Sequence, residues 1–229
     1  MAGTLMLSIR RSRASSAQAL RALMLGFMAC LLLASCGSER LRDLYFGLQP
    51  ELHLQPSPRP IPGTLRVIPL TAQGFVAGTR IVYRTAEEPK QVSRYAELLW
   101  EEVPATAIAN QMIAALRAAG VFEHVVSVTD PARADYLLSG DLLRFEHRPT
   151  DDPPHVVAEM SLTLVCGRGR EVLVAGTYAG EEPNAVGAAG RTTPDAIVAA
   201  FNRLTGRLIS EVVADAQGMA RRCDDASGG

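Results

Sequence analysis

The sequence predicts an α+β fold: a two-layer sandwich whose mainly antiparallel sheet of four to six strands carries two helices packed on one face. Three observations predict it. From His155 to Val165, Val156, Ala158, Met160, Leu162 and Leu164 alternate with Val157, Glu159, Ser161, Thr163 and Val165. That period of two, with one apolar and one mixed face, marks a strand covered on a single side. Two other stretches repeat apolar residues at three- and four-residue steps, each giving one helical stripe. Sheet and helices that are apolar on one side only bury those sides against each other in two layers.

The elements follow in order. "TLRVIPL" and "TRIVYR" are short strand candidates rich in β-branched residues. "DLYFGLQ", ahead of them, could add an edge strand. The first helical region runs from Tyr95 to Ala119, with Ile108, Ala109, Met112, Ile113, Leu116 and Ala119 as its buried stripe. Pro104 suits a first turn and Gly120 supplies the stop. "VFEHVVSV" reads as a strand ending at the Asp130-Pro131 turn, and "YLLSGDLLRFEHR" as a long strand with a bulge expected at Ser139-Gly140. "CGRGR" turns the His155 strand back onto "EVLVAGTYAG" as a hairpin, and a polar, glycine-rich loop follows from Glu181 to Arg191. Thr193, Pro194 and Asp195 open the second helix as cap hydroxyl, first-turn proline and an acid at the positive end of the dipole. Ile197, Phe201, Leu204, Leu208 and Val212 form its stripe.

The ends are of a different character. Arg10, Arg11, Arg13 and Arg21 stand in a segment without acids, and fourteen uncharged, mostly large apolar residues follow from Ala22 to Ser35. Basic start, apolar middle and small residues before the end compose a secretory signal. A membrane-spanning helix needs ~20 apolar residues; extended to Ser38 this run is seventeen, so a single-pass anchor is possible but short. Leu33-Ala34-Ser35-Cys36 breaks the tie: it resembles the bacterial lipobox, in which the cysteine is lipidated and becomes residue one after cleavage. Gly37, rather than an Asp, follows Cys36, which by that sorting pattern favours passage to the outer membrane. One acyl chain holds a protein marginally at ~0.8 kcal/mol per buried methylene, but two or more anchor it.

The expected organisation is therefore a signal peptide over 1–35, a lipidated Cys36 and proline-rich tether over 36–62, an α+β domain over 63–216 and a disordered tail over 217–229. Pro50, Pro56, Pro58, Pro60 and Pro62 deny the tether a regular ladder. Fully extended, ~25 residues would reach ~80 Å at ~3.3 Å each.

Loss of residues 1–35 takes four arginines and no acids from the 23 basic and 24 acidic residues, so the mature charge falls from −1 to −5. No basic stripe remains, which argues against a nucleic-acid partner. Cys166 and Cys223 are left in an oxidising compartment. They could pair, although a packed Cys166 and a free Cys223 on a loose tail is the preferred reading.

No catalytic set emerges, and the chain is read as no enzyme, with no metal and no cofactor beyond the covalent diacylglycerol and N-acyl chain on Cys36. His53, His124, His147 and His155 lack helical ligand spacing. His147 and His155 flank "RPTDDPP", where a solvated acidic turn outweighs a metal site built with Asp151 and Asp152. There is no Cys-x-x-Cys pair, phosphate-binding glycine loop or nucleophile elbow. Tyr95, Trp100 and Pro104 in "RYAELLWEEVP" are candidate partner-binding residues, since buried Trp and Tyr are common interface hot spots. The plainer reading has Trp100 lidding the core edge.

The order of lipobox, proline-rich tether, "RIVYRTAEEPKQVSRYAELLWEEVP" and "ADYLLSGDLLRFE" resembles the auxiliary lipoprotein component of ABC-type lipid transport systems. The matching positions are Arg84, Tyr95, Trp100 and Pro104, then Asp135, Leu138, Gly140, Leu142, Phe145 and Glu146, within a likeness spanning about 60 to 215. The resemblance implies a non-enzymatic subunit that works beside a permease, an ATPase and a periplasmic protein of the mammalian-cell-entry type. It also implies an outer-membrane lipoprotein that docks this periplasmic component. A lipoprotein regulator of a cell-wall synthase, or an outer-membrane assembly factor, would share tether and body and is the alternative. Substrate and oligomeric state stay open, a homo-oligomer around a symmetric partner among the options.

Overall fold

The computed structural model describes residues 42–187, 192–219 and 223. The signal peptide and Cys36 lie outside the described residues, as does most of the expected tail. The unit that runs from Arg42 to Gly229 is the body described below.

Its strands are β1 (Leu44–Phe46), β2 (Ile61–Val67), β3 (Thr71–Ala72), β4 (Arg80–Tyr83), β5 (Ser93–Trp100), β6 (Phe122–Val126), β7 (Tyr136–Arg148), β8 (His155–Cys166) and β9 (Val172–Pro183). Helix α1 spans Pro104–Ala118 and α2 spans Pro194–Gln217. β7 is the spine. One edge pairs antiparallel with β8 from Tyr136↔Cys166 to Arg148↔His155, and β8 carries β9 as its hairpin partner. The other edge is tiled in turn by β2 beside Tyr136–Leu138, β3 beside Asp141–Leu142 and β4 beside Glu146–His147, all parallel. β6 extends the sheet beyond β2, and β5 then β1 extend it beyond β4.

The expected mainly antiparallel sheet of four to six strands is thus corrected to a mixed sheet of nine. The physical reason lies in 61–83, which runs along β7 in one direction as a single interrupted line. Pro69 and a 3-10 turn at Gly74–Ala77 break it into pieces too short to read as one strand. A second correction concerns Tyr95–Trp100, expected as helix and found in β5. Ala, Glu and Leu favour helix locally, but β4 on one side and β1 on the other satisfy this backbone as strand. Pro104 then fixes the helix start, because the residue before a proline avoids the helical region; Val103 sits at φ −55°, ψ 127°. "DLYFGLQ" does supply an edge strand, β1.

The expected bulge at Ser139-Gly140 is also corrected. Gly140 pairs in register with Leu162, and the irregularity falls between Leu142 and Arg144, which leaves Leu143 half exposed. Glycine is needed at 140 for another reason: a Cβ there would collide with the Ser161 carbonyl oxygen.

The apolar faces meet as the stripes require. Val156, Ala158, Met160, Leu162 and Leu164 of β8 are buried together with Ile108, Met112 and Leu116 of α1 and Ile197, Phe201, Leu204, Leu208 and Val212 of α2. Thr193 Oγ1 accepts from the Ala196 amide at 3.3 Å with Pro194 in the first turn, and Gly120 takes φ +62° after α1. Tyr178 of β9 donates to Asp215 of α2 at 2.8 Å.

Residues 47–60 take no regular ladder, in keeping with their prolines, yet they are not a free leash. Leu48 is buried, and its carbonyl accepts from Gln111 of α1 at 3.1 Å. The Gln49 amide donates to Asn202 of α2 at 2.9 Å, and the Ser57 amide to the Ala119 carbonyl at 2.7 Å. At Gly206 the Glu51 backbone lies so close to α2 that a Cβ would strike its carbonyl oxygen. This segment is a strap over both helices.

Cys166 and Cys223 form a disulfide with their Cα atoms 5.5 Å apart. The preference for two free thiols is corrected. Cys166 is the last residue of β8, and Cys223 Sγ also approaches the Asp135 carbonyl at 3.5 Å.

Candidate functional site

The polar groups that strand periodicity brings together lie where β4, β5 and β7 meet. Arg144, Glu146 and Arg148 alternate along β7, so they share one face of the sheet. Arg84 reaches the same carboxylate from the end of β4. Glu146 Oε2 lies 3.3 Å from Arg84 Nε, while Oε1 lies 2.9 Å from Arg144 and 3.0 Å from Arg148. Glu146 is 2 % exposed. Burial by itself would raise its pKa, but the Arg144 hydrogen bond and the charges of Arg144, Arg84 and Arg148 hold it below the ordinary carboxylate value.

On the other face of β7, His147 is 1 % exposed. Its Nδ1 is 2.8 Å from the Tyr95 hydroxyl on β5, and its Nε2 is 2.6 Å from the Asn184 side-chain amide after β9. With that amide donating to Nε2, Nδ1 carries the proton and donates to Tyr95 Oη. Burial, helped by the charge of His155, lowers the His147 pKa to about 4. Burial, with Tyr83 nearby, pushes Tyr95 up to about 12. At neutral pH the set is a satisfied ion cage backed by a neutral imidazole and a neutral phenol. Its chemistry is cohesion across four strands.

Tyr95, Trp100 and Pro104 fall in this neighbourhood with unequal exposure. Trp100 is 3 % exposed, its ring 5.5 Å from Phe145 and edge-on to Phe201 at 5.3 Å. Pro104 is buried as the first residue of α1, and Tyr95 is half-buried against Tyr83 with centroids 4.6 Å apart. Trp100 thus packs in the core between β7 and α2. Asp135 receives the Thr64 amide at 2.9 Å beneath Gly63, whose φ of +102° requires glycine. His155 pairs with Asp151 at 3.8 Å and with Glu181 at 3.7 Å, well apart from the role of His147. Among the described residues, no three His, Cys, Asp or Glu side chains are grouped to hold a metal ion, and no helix is long and apolar enough to cross a membrane.

The residues quoted for the resemblance fall in two groups, one around Glu146 and His147 and one at backbone positions elsewhere. Arg84 binds Glu146, Tyr95 touches His147, Trp100 stacks near Phe145, and Asp135, Gly140 and Pro104 each solve a backbone problem. The family model of the ABC-type transport auxiliary lipoprotein component matches residues 46–213. The chain belongs to this family. The match of this auxiliary lipoprotein begins earlier than the sequence likeness at about residue 60, and so takes in the strap.

Solved structures agree on the fold. Protein XCC0632 from Xanthomonas campestris, of the DUF330 family, is 21% identical with a TM-score of 0.63, covering 75% of this auxiliary lipoprotein and 93% of that chain. An uncharacterized protein is 17% identical with a TM-score of 0.57, covering 76% and 98%. A weaker likeness, with a TM-score of 0.36, is to lipoprotein GNA1162 from Neisseria meningitidis, 14% identical over 66% of this chain and 96% of its own. None of the curated proteins matches. The family is one of transport auxiliary lipoproteins rather than of enzymes.

The arginine cage and the strap escaped the sequence reading. The cage left a signal, the Arg-x-Glu-x-Arg spacing of 144, 146 and 148 on one strand face. The strap left none beyond Leu48, Leu52 and Leu54 in a stretch dominated by proline.

Proposed function

We propose that the mature protein begins at Cys36, acylated on its sulfur and amino terminus, and sits on the periplasmic face of the outer membrane. There it serves an ABC-type intermembrane transport system for phospholipid or another apolar solute, as a non-enzymatic subunit that docks the mammalian-cell-entry-type component. The observation that carries this reading is the family match over residues 46–213. It is supported by the three-part leader ending in Leu33-Ala34-Ser35-Cys36 and by Gly37 after it.

The interior supports a fitting over a carrier. One apolar cavity between sheet and helices, lined by residues such as Leu65, Phe122, Leu162 and Val212, comes to about 20 Å³, which holds roughly one water and no acyl chain. The wider cleft of about 530 Å³ lies at the surface beside the strap and α2, where Glu51, His53, Glu182, Arg203 and Arg207 line it with charge. Lipid would pass along the partner rather than through this body.

Crosslinking in the native host, followed by purification of this subunit, tests the reading. Recovery of the mammalian-cell-entry-type protein is expected. Recovery of a cell-wall synthase instead would transfer the protein to the regulator class.

A further inference from the structure

The strap fixes how far the body can stand from a lipid on Cys36. Five residues, and so six Cα-to-Cα steps, separate Cys36 from Arg42, where the body begins. At ~3.3 Å per residue they reach about 20 Å, not the ~80 Å that a free tether through residue 62 would allow. A globule of this size is roughly 40 Å across, so the place where the chain enters the body cannot turn away from the anchoring surface.

That place is the β1 edge. Among the described residues, β1 is hydrogen-bonded on one side, to β5. Leu44 is 41% and Tyr45 64% exposed, and Arg42 beside them is exposed too. Tyr is at home at the depth of lipid headgroups, with its ring among the upper methylenes and its hydroxyl wet. Arg favours the phosphate layer, and a three-residue strand offers little ladder for a partner strand to extend.

We propose that the β1 edge rests on the lipid bilayer, with Leu44 and Tyr45 in the headgroup layer and Arg42 at the phosphates. The proposal depends on the reading that Cys36 is the anchor. It gives the body one orientation: β1 faces the membrane and the β8–β9 hairpin, beyond β7, projects away from it.

The test uses the acylated mature chain reconstituted in vesicles of phosphatidylethanolamine and phosphatidylglycerol with brominated acyl chains. Tyr45→Trp adds a fluorophore at the edge, Val172→Trp adds one at the far hairpin turn, and buried Trp100 is a constant background in both. The Tyr45→Trp ring should lose about half its emission, as interfacial seating implies, and Val172→Trp should keep its own. No quenching at Tyr45→Trp, or equal quenching at both sites, would overturn the orientation. A parallel arm replaces Cys36 by a histidine tag held on a chelating lipid. Quenching there alongside an unmodified Cys36 in the native mass spectrum would sink the anchor but keep the docking edge.

Discussion

Arg84 Nε lies 3.3 Å from Glu146 Oε2, and this contact ties β4 to the middle of the sheet at a carboxylate that is 2 % exposed. Arg84 also donates to the Pro89 carbonyl at 3.0 Å, so the loop after β4 is held by the same side chain. With Arg144 and Arg148 on the other oxygen, removing the carboxylate leaves three cations facing one another. Breaking a buried pair from one side costs about 3–5 kcal/mol, and Glu146→Ala should lose that much in urea unfolding. Arg144→Ala should lose no more than about 1 kcal/mol, because Arg144 is one of three partners and is partly solvated. Equal losses would mean that the cage is not centred on Glu146.

His147 sets a pH dependence. Its ordinary pKa of 6.5 falls to about 4 in the folded protein, so between those values the unfolded chain binds a proton that the folded one refuses. Stability from this group is complete above pH 6.5 and is lost as pH falls toward 4, by on the order of 3 kcal/mol in all. Glu146, also depressed, adds its loss only below the ordinary glutamate range, near pH 4.5. Unfolding free energies measured from pH 7.5 to 5 should decline in the parent and be nearly flat in His147→Gln. A parent curve that is flat to pH 5 would contradict the buried neutral imidazole.

Gly206 tests the strap. In a helix interior Gly→Ala ordinarily gains about 1 kcal/mol, but here the new methyl would meet the Glu51 carbonyl oxygen. The backbone clash should win. Gly206→Ala is expected to be less stable than the parent and to open residues 47–60 to limited proteolysis while α2 keeps its amide protection. A gain in stability with the strap still protected would show that Glu51 does not lie on the helix.

The layers and most elements were legible because each rests on a local period. The stripe of α2 and the alternation of β8 read directly, and Thr193-Pro194-Asp195 named its own helix start. What escaped reading was decided by partners distant in sequence. Tyr95–Trp100 carries helix-favouring residues and becomes strand because two other strands flank it. Parallel pairing of β2, β3 and β4 depends on the course of β7, more than fifty residues further on. At the site, Glu146 was marked by its motif, but nothing local revealed that Arg84 would complete its shell, nor that Asn184 would meet His147.

The disulfide is the last of these long-range decisions, and its energetic weight follows from its span. Cys166 and Cys223 stand 57 positions apart in sequence, and the span between them holds β9 and the whole of α2. Constraining a loop of that length in the unfolded chain stabilises the fold by up to about 4 kcal/mol in the chain-entropy description. The bond also fixes Cys223 against the end of β8, where Gly167 donates to the Asp135 carbonyl at 2.7 Å. Denatured, unreduced protein should therefore show neither Cys166 nor Cys223 as a free thiol. Cys223→Ser should lower the urea midpoint of unreduced protein, and reductant should lower the parent's midpoint while leaving the variant's unchanged. α2 is capped by Thr193 and packed along its stripe, so the far-ultraviolet spectrum should barely change. Two titratable thiols in the oxidised protein would remove the bridge, and with it any reason for residue 223 to lie beside Asp135.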